Sequence, residues 1–162
     1  DSESRGLGDV YKRQRVAWIG DGNNMCQSYI NAAAAFRFSL SIACPLGYEP
    51  NSQLLKENSH CARLVDNPAH AARDADLVVT DVWASMGSEA EALQRKQHLG
   101  GFQVTQDLMA GAAADALFMH CLPAHRGEEV TADVIDSAAS VVWQEAENRM
   151  HSQKALIEFL LS

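Results

Sequence analysis

Short, almost uninterrupted apolar runs recur along this chain, separated by stretches with helical spacing. The runs are Val16 to Ile19, Leu40 to Cys44, Leu77 to Thr80, Ala116 to Met119 and Val141 to Trp143, with a weaker one near Ala62 to Val65. A strand whose two faces are both apolar is buried on both sides, which is the condition of parallel strands covered by crossover helices. Helical spacing is read at about Met25 to Arg37, Gln53 to Asn58, Pro68 to Arg73, Glu89 to His98 and Glu145 to Leu161. In the last of these, Ala146, Met150, Ile157, Leu160 and Leu161 fall on one face and Glu145, Arg149 and Gln153 on another. Right-handed crossovers between parallel strands then predict an α/β fold: a three-layer αβα arrangement around a doubly wound parallel sheet of about five strands.

Length and charge narrow what such a sheet can serve. The 162 residues, 47% hydrophobic and 7% aromatic, suit one compact domain with an aliphatic core. A net charge of −8, with 13 basic residues scattered among 21 acidic ones, excludes a nucleic-acid surface. Cys26, Cys44, Cys61 and Cys121 form no CxxC pair and no zinc-like pattern with histidine, so they read as thiols of a reducing compartment. No apolar run reaches the roughly 20 residues that span a bilayer, and no signal-peptide pattern is present. The expectation is a soluble, cytoplasmic domain over 15–162. Residues 1–14 are polar and aperiodic, and are set aside as a leader: a translated adaptor sequence or a disordered linker.

Three loops follow strands and carry groups with chemistry: Gly20 to Asn24, Asp81 to Gly87, and His120 to Pro123. The carboxyl ends of parallel strands lie along one edge, so residues some hundred positions apart can line one crevice. GDGNNM superficially matches a dinucleotide-binding turn, but Met25 stands where a third glycine belongs and Cys44-Pro45 replaces the acid expected after the next strand. Asn23 or Asn24 either caps the following helix or reaches a ligand. Asp81 either holds an amine or serves as a cap or ion-pair partner, while Trp83 and Met86 read as packing residues. Cys121 is either a small buried hydrophobe or a functional thiol. A nucleophilic pair with His120 is geometrically awkward, because neighbours on an extended segment point to opposite faces, and His125 is a weak alternative.

Together, GDGNN, DVWASMG, HCLPAHRGEEV and EAENRMHSQ resemble, in order and approximate spacing, the ornithine carbamoyltransferases. The similarity runs from about Arg15 to the C-terminus, is weakest over Asn51 to Leu64, and corresponds to the ornithine-binding half of that family, whose sheet is Rossmann-like. Aspartate carbamoyltransferases share the fold and an HCLP-like turn, yet the SMG loop fits the ornithine branch better. The resemblance implies that Asn24 contacts the amino-acid end of ornithine. It implies that Asp81 and Ser85 hold the α-amino group and that the Met86 backbone helps fix the carboxylate. Cys121 and Leu122 are expected against carbamoyl phosphate and the attacking δ-amine, with Arg149 binding carbamoyl phosphate; the catalytic roles fall to Cys121 and Arg149. A cis Leu122-Pro123 bond, a homo-oligomer (a trimer) for the full-length protein, and no metal or other cofactor are further implications.

That chemistry is demanding. The δ-amine resembles a lysine amine, so reaching its neutral form at pH 7 costs roughly 4 to 5 kcal/mol. A carboxylate beside it favours the protonated form, so Asp81 is a poor simple base, and Cys121, desolvation and closure of the complex are the better candidates. The family's S-x-R-T loop and H-P-x-Q segment do not occur in these residues. The chain is therefore expected not to turn over alone, and to expose an apolar face that favours self-association. The alternatives are a carbamoyltransferase for a different amine, a dinucleotide binder on the same sheet, and a non-catalytic amino-acid-binding module.

Overall fold

The computed structural model describes residues 14–84 and 89–162. Of the leader assigned to 1–14, only Gln14 is among them; its carbonyl accepts the Ser39 N–H at 3.0 Å. Five strands, β1 (Arg15–Ile19), β2 (Ser39–Ala43), β3 (Ala62–Leu64), β4 (Leu77–Thr80) and β5 (Leu117–His120), form one sheet. Every pairing is parallel, and the order is β3-β2-β1-β4-β5. The chain winds outward from β1 to β3, then returns across the sheet to β4 and β5. The reversal lies between β1 and β4, where open α/β sheets part to leave a crevice.

Seven α-helices flank the sheet among the described residues: α1 (Asn24–Phe36), α2 (Ser52–Glu57), α3 (Pro68–Ala72), α4 (Glu89–Leu99), α5 (Gln106–Ala110), α6 (Ala132–Ile135) and α7 (Val142–Leu161). Alternation along β1 sorts its side chains by layer. Val16 and Trp18 pack with Cys26, Ile30 and Ala33 of α1 on one face. Ala17 and Ile19 pack with Ala71 and Ala72 of α3, Val134 and Ile135 of α6, and Val142 on the other. Asparagine supplies the starts of the first three helices: Asn23, Asn51 and Asn67 each accept backbone N–H bonds from the first turn, and Pro68 occupies a position where no N–H is needed.

The run Val141 to Trp143, expected as a strand, is the beginning of α7 instead. Its β character is exhausted in one bridge: Phe118 N–H donates to the Ala139 carbonyl and Val141 N–H to the Phe118 carbonyl. Val142 then turns inward, fully buried, while Trp143 is 65% exposed. The apolar stripe on α7 is present as the spacing predicts, but Met150, Ile157, Leu160 and Leu161 all face solvent. The short α5 and α6, and a 3-10 turn at Gly100–Phe102, had no expectation because four or five residues are too few to show a period.

Gly22 fixes how the loop after β1 meets the loop after β2. Its N–H donates to the Tyr48 carbonyl at 2.7 Å, and a Cβ built there would lie 2.6 Å from the Glu49 carbonyl carbon and closer still to the Pro50 nitrogen. Both obstacles are backbone, so neither can swing aside. Replacing Gly22 by alanine is expected to destabilise the domain by about 2 to 3 kcal/mol, as overpacking of a closed contact does. Urea unfolding monitored by tryptophan fluorescence checks this, and a change below about 0.5 kcal/mol, the range of ordinary surface substitutions, would contradict the contact.

Candidate functional site

The three loops meet through hydrogen bonds between their side chains. Thr80 Oγ1 donates to the Ile19 carbonyl at 2.6 Å, locking the end of β4 to the end of β1. One residue further, Asp81 is buried, and Asn23 Nδ2 donates to its Oδ2 at 2.8 Å. Its Oδ1 accepts the Val82 N–H at 2.8 Å and the Cys121 thiol at 3.1 Å. The remaining atom of the Asn23 amide, Oδ1, caps α1 by accepting from the Met25 and Cys26 N–H groups. One asparagine therefore starts a helix and brackets the central carboxylate.

Asp21 shares the first loop and pairs with Arg95 of α4, whose guanidinium also donates to the Trp83 carbonyl and lies 5.0 Å from the centre of the Tyr48 ring. This cation binds the loops after β1, β2 and β4 to one helix.

His120 closes β5 with no exposed surface. Its N–H donates to Glu145 Oε2 at 3.1 Å, so Glu145, in the first turn of α7, points into the site. The His120 ring accepts the Leu122 N–H at Nδ1 at 2.9 Å and meets Glu129 Oε1 through Nε2 at 3.1 Å. Leu122 adopts φ 53, a left-handed conformation rare for a branched side chain, and the Leu122-Pro123 bond is cis, as the resemblance implied. An open groove of about 550 Å³ runs from Cys121, Leu122 and Pro123 past Trp143 and Ala146 to Arg149.

The crevice is acidic. Burial pushes the Asp21 carboxyl up, with Asp81 adding to the rise and Arg95 opposing it. Burial likewise raises Glu145, again with a contribution from Asp81, and raises the Tyr29 phenol, helped by Glu145 and Cys121. The Cys121 thiol is pushed up to about 12, first by burial and then by its bond to Asp81. Such a thiol is a hydrogen-bond donor at neutral pH, and both ring nitrogens of His120 are engaged, so a Cys121/His120 nucleophile has no support. Asp81, His120 and Cys121 place ligand atoms within 4.8 Å of one another. Each of those residues is engaged in hydrogen bonds to the others or to neighbours. The space that a dinucleotide's pyrophosphate would need beside Gly22 is filled by the Glu49-Pro50 backbone.

Of the residues singled out from sequence, the structure brings Asp81 and Cys121 into contact and sets Cys121, Leu122 and Arg149 along one groove. Arg149 is exposed, and Glu145, one turn before it on the same helix, accepts from the His120 N–H. Asn24 is exposed on α1, with its carbonyl accepting from Ser28 Oγ; the asparagine that reaches Asp81 is its neighbour Asn23. Ser85 and Met86 lie outside the described residues. Asp21, Tyr29, Arg95, Glu129 and Glu145 were missed. Asp21 had a signal, as the acid inside GDGNN; the two glutamates sit in strings that read as solvated charge.

Comparison with known proteins agrees with this geometry. A family model described as "Aspartate/ornithine carbamoyltransferase, Asp/Orn binding domain" matches residues 12–160. The chain is 60% identical over 154 residues to an ornithine carbamoyltransferase of Nitrosococcus oceani, covering 95% of this chain and 50% of that protein. It is 59% identical over 147 residues to one of Methylococcus capsulatus, covering 91% of this chain and 49% of that protein. The solved ornithine carbamoyltransferase of Pyrococcus furiosus superposes with a TM-score of 0.84 at 48% identity, over 91% of this chain and 49% of that one. The chain thus spans about half the length of the curated relatives it matches.

The state of Cys121 is open to direct measurement. With its thiol pushed up to about 12, little thiolate exists at pH 8. Its higher intrinsic nucleophilicity recovers only part of that loss, so alkylation by iodoacetamide should run about a hundredfold slower than for free cysteine. Asp81→Asn removes the carboxylate that opposes ionisation and should speed the reaction. Peptide-resolved mass spectrometry reads both rates, and a Cys121 as reactive as free cysteine would overturn the assignment.

Proposed function

Because this chain belongs to the aspartate/ornithine carbamoyltransferase family as its Asp/Orn-binding domain, we propose that the three-loop crevice holds ornithine while its δ-amine takes the carbamoyl group of carbamoyl phosphate. The products are citrulline and phosphate. The observation that carries this reading is the buried Asp81 carboxylate, held by Asn23, Val82 and Cys121 within a crevice already crowded with acids. Such a place favours a cationic amine, and charge-assisted bonds to it are about twice as strong as neutral ones. Asp81 holds the α-ammonium, with Asn24, Ser85 and the Met86 backbone assigned to the same end of the substrate.

The δ-amine then lies toward Cys121 and Leu122, at the mouth of the groove that leads to Arg149. Once it is neutral, its nitrogen forms a bond to the carbamoyl carbon, the carbon–oxygen bond to phosphate breaks, and the proton the nitrogen then sheds leaves with the phosphate. Arg149 stabilises charge on the carbamoyl phosphate and the departing phosphate as a permanently charged group. Cys121 enters as a protonated thiol, orienting Asp81 and contacting the substrates rather than attacking them. Carbamoyl phosphate is shared with the rest of the full-length protein, so turnover requires both halves. The full-length protein is read as a cytoplasmic homo-oligomer, a trimer; among the described residues no helix is long and apolar enough to cross a membrane.

Calorimetric titration with L-ornithine tests the amino-acid end. Asp81→Ala should weaken binding at least about tenfold, the loss expected of a charged hydrogen bond. An arriving ammonium favours the ionised forms of Asp21 and Glu145, whose carboxyls are held high in the empty crevice, so binding releases protons. Affinity should therefore rise as pH climbs from the ordinary carboxylate range through their raised values, then level off. Supplying the carbamoyl phosphate half of a relative in trans should yield citrulline, and Arg149→Ala should abolish it. Tight binding of L-aspartate in place of L-ornithine, or ornithine binding indifferent to Asp81→Ala, would overturn the reading.

A further inference from the structure

Glu129 is a fully buried carboxylate nine residues beyond His120, and no step above uses it. Its Oε1 accepts two donors, the His120 ring through Nε2 at 3.1 Å and the His125 N–H at 2.6 Å. A single oxygen thus ties together both ends of the segment His120 to His125, which contains Cys121, Leu122 and Pro123. Its backbone is anchored independently, because the Glu129 carbonyl accepts the Val104 N–H at 2.9 Å. Among the described residues Oε2 is buried without a hydrogen-bond partner, and the His125 Nδ1 lies 4.0 Å away. An orphaned oxygen on a buried carboxylate works against stability, so packing alone does not account for an acid here.

The bonds also dictate a tautomer. Leu122 N–H donates to His120 Nδ1, so that nitrogen carries no proton. The ring proton then sits on Nε2 and points at Glu129 Oε1. With Glu129 in place, the ring is held with Nδ1 facing the Cys121-Leu122 peptide, and that peptide's N–H is drawn inward. Leu122 is thereby kept at φ 53, and the preceding thiol stays directed at Asp81.

We propose that Glu129 is a positioning residue of the amino-acid site: acting through His120 and His125, it sets the orientation of the Cys121-Leu122 peptide. The inference rests on the reading of the crevice as that site, and its test separates the two. Glu129→Gln keeps an acceptor of the same shape, whereas Glu129→Met fills the volume without one. In the intact chain, amide hydrogen exchange at Leu122 should be slow in the wild type and in Glu129→Gln, and faster by about tenfold or more in Glu129→Met, the scale of one lost buried hydrogen bond. L-Ornithine affinity should follow the same order. Exchange at Leu122 unchanged in Glu129→Met overturns the proposal. If the wild type binds no ornithine, the substrate reading falls, and the exchange result alone still supports or overturns the positioning role. Should Glu129→Met fail to fold, nitrogen-15 spectra of the unsubstituted chain decide: a His120 ring protonated at Nε2 supports the proposal, and one protonated only at Nδ1 overturns it.

Discussion

The site depends on one carboxylate at the point where the sheet reverses direction. Asp81 follows β4, next to β1, and its two oxygens accept from three groups: the Asn23 amide after β1, its own Val82 N–H, and the Cys121 thiol after β5. Parallel strands only bring loops near one another; nothing in the ladder fixes how those loops face. Asp81 does that here, because a buried carboxylate left short of donors is costly and the geometry that satisfies it brackets the ends of three strands at once.

Satisfying Asp81 with neutral donors has an electrostatic consequence. An asparagine amide, a backbone N–H and a thiol neutralise no charge, and the Arg95 guanidinium is occupied by Asp21 and the Trp83 carbonyl. Burial drives the Asp21 and Glu145 carboxyls and the Cys121 thiol upward, and the negative charge the crevice keeps at Asp81 adds to each rise. Had an arginine met Asp81 directly, the same fold would be a self-satisfied ion pair. On the proposed reading, the absence of a counter-charge on Asp81 among the described residues makes an ammonium group the matching ligand, and the same carboxylate helps make Cys121 a poor nucleophile.

Much of this was legible in the sequence, and the failures have a common cause. Unbroken apolar runs marked four of the strands and a weaker run the third, and the asparagines of GDGNN marked the start of α1, because those signals are local. Val141 to Trp143 looks like a strand by the same local rule, but its place beside β5 lasts for one bridge before α7 begins. Asp81 and Cys121 stood out because they follow strands, and Leu122 only through the resemblance. Glu129 and Glu145 did not: an acid in GEE or QEAEN has the composition of a solvated surface, and only the tertiary position of His120 turns both inward. Two adjacent asparagines at the start of α1 also face different ways: Asn23, the extended cap residue, reaches Asp81, while Asn24, the first helical residue, is exposed.

His120 joins these observations into a gradient of rigidity. Its N–H is held by Glu145, its ring by Glu129 and by Leu122, and its neighbour's thiol by Asp81, so the segment after β5 is fixed from α7, from the loop before α6 and from β4. One turn beyond Glu145 along α7 the constraints stop. Arg149 is exposed, and past it Met150, Ile157, Phe159 and Leu160 present an apolar surface to solvent. The groove between Cys121 and Arg149 thus has one wall set by buried hydrogen bonds and another on a helix held chiefly at its first turns. On the proposed reading of a reaction between two substrates, the rigid wall suits the amine that must be aimed, since misplacement by about 1 Å can cost a hundredfold in rate. On the same reading the freer wall suits the anion, which a long guanidinium side chain can follow as charge moves onto the leaving phosphate.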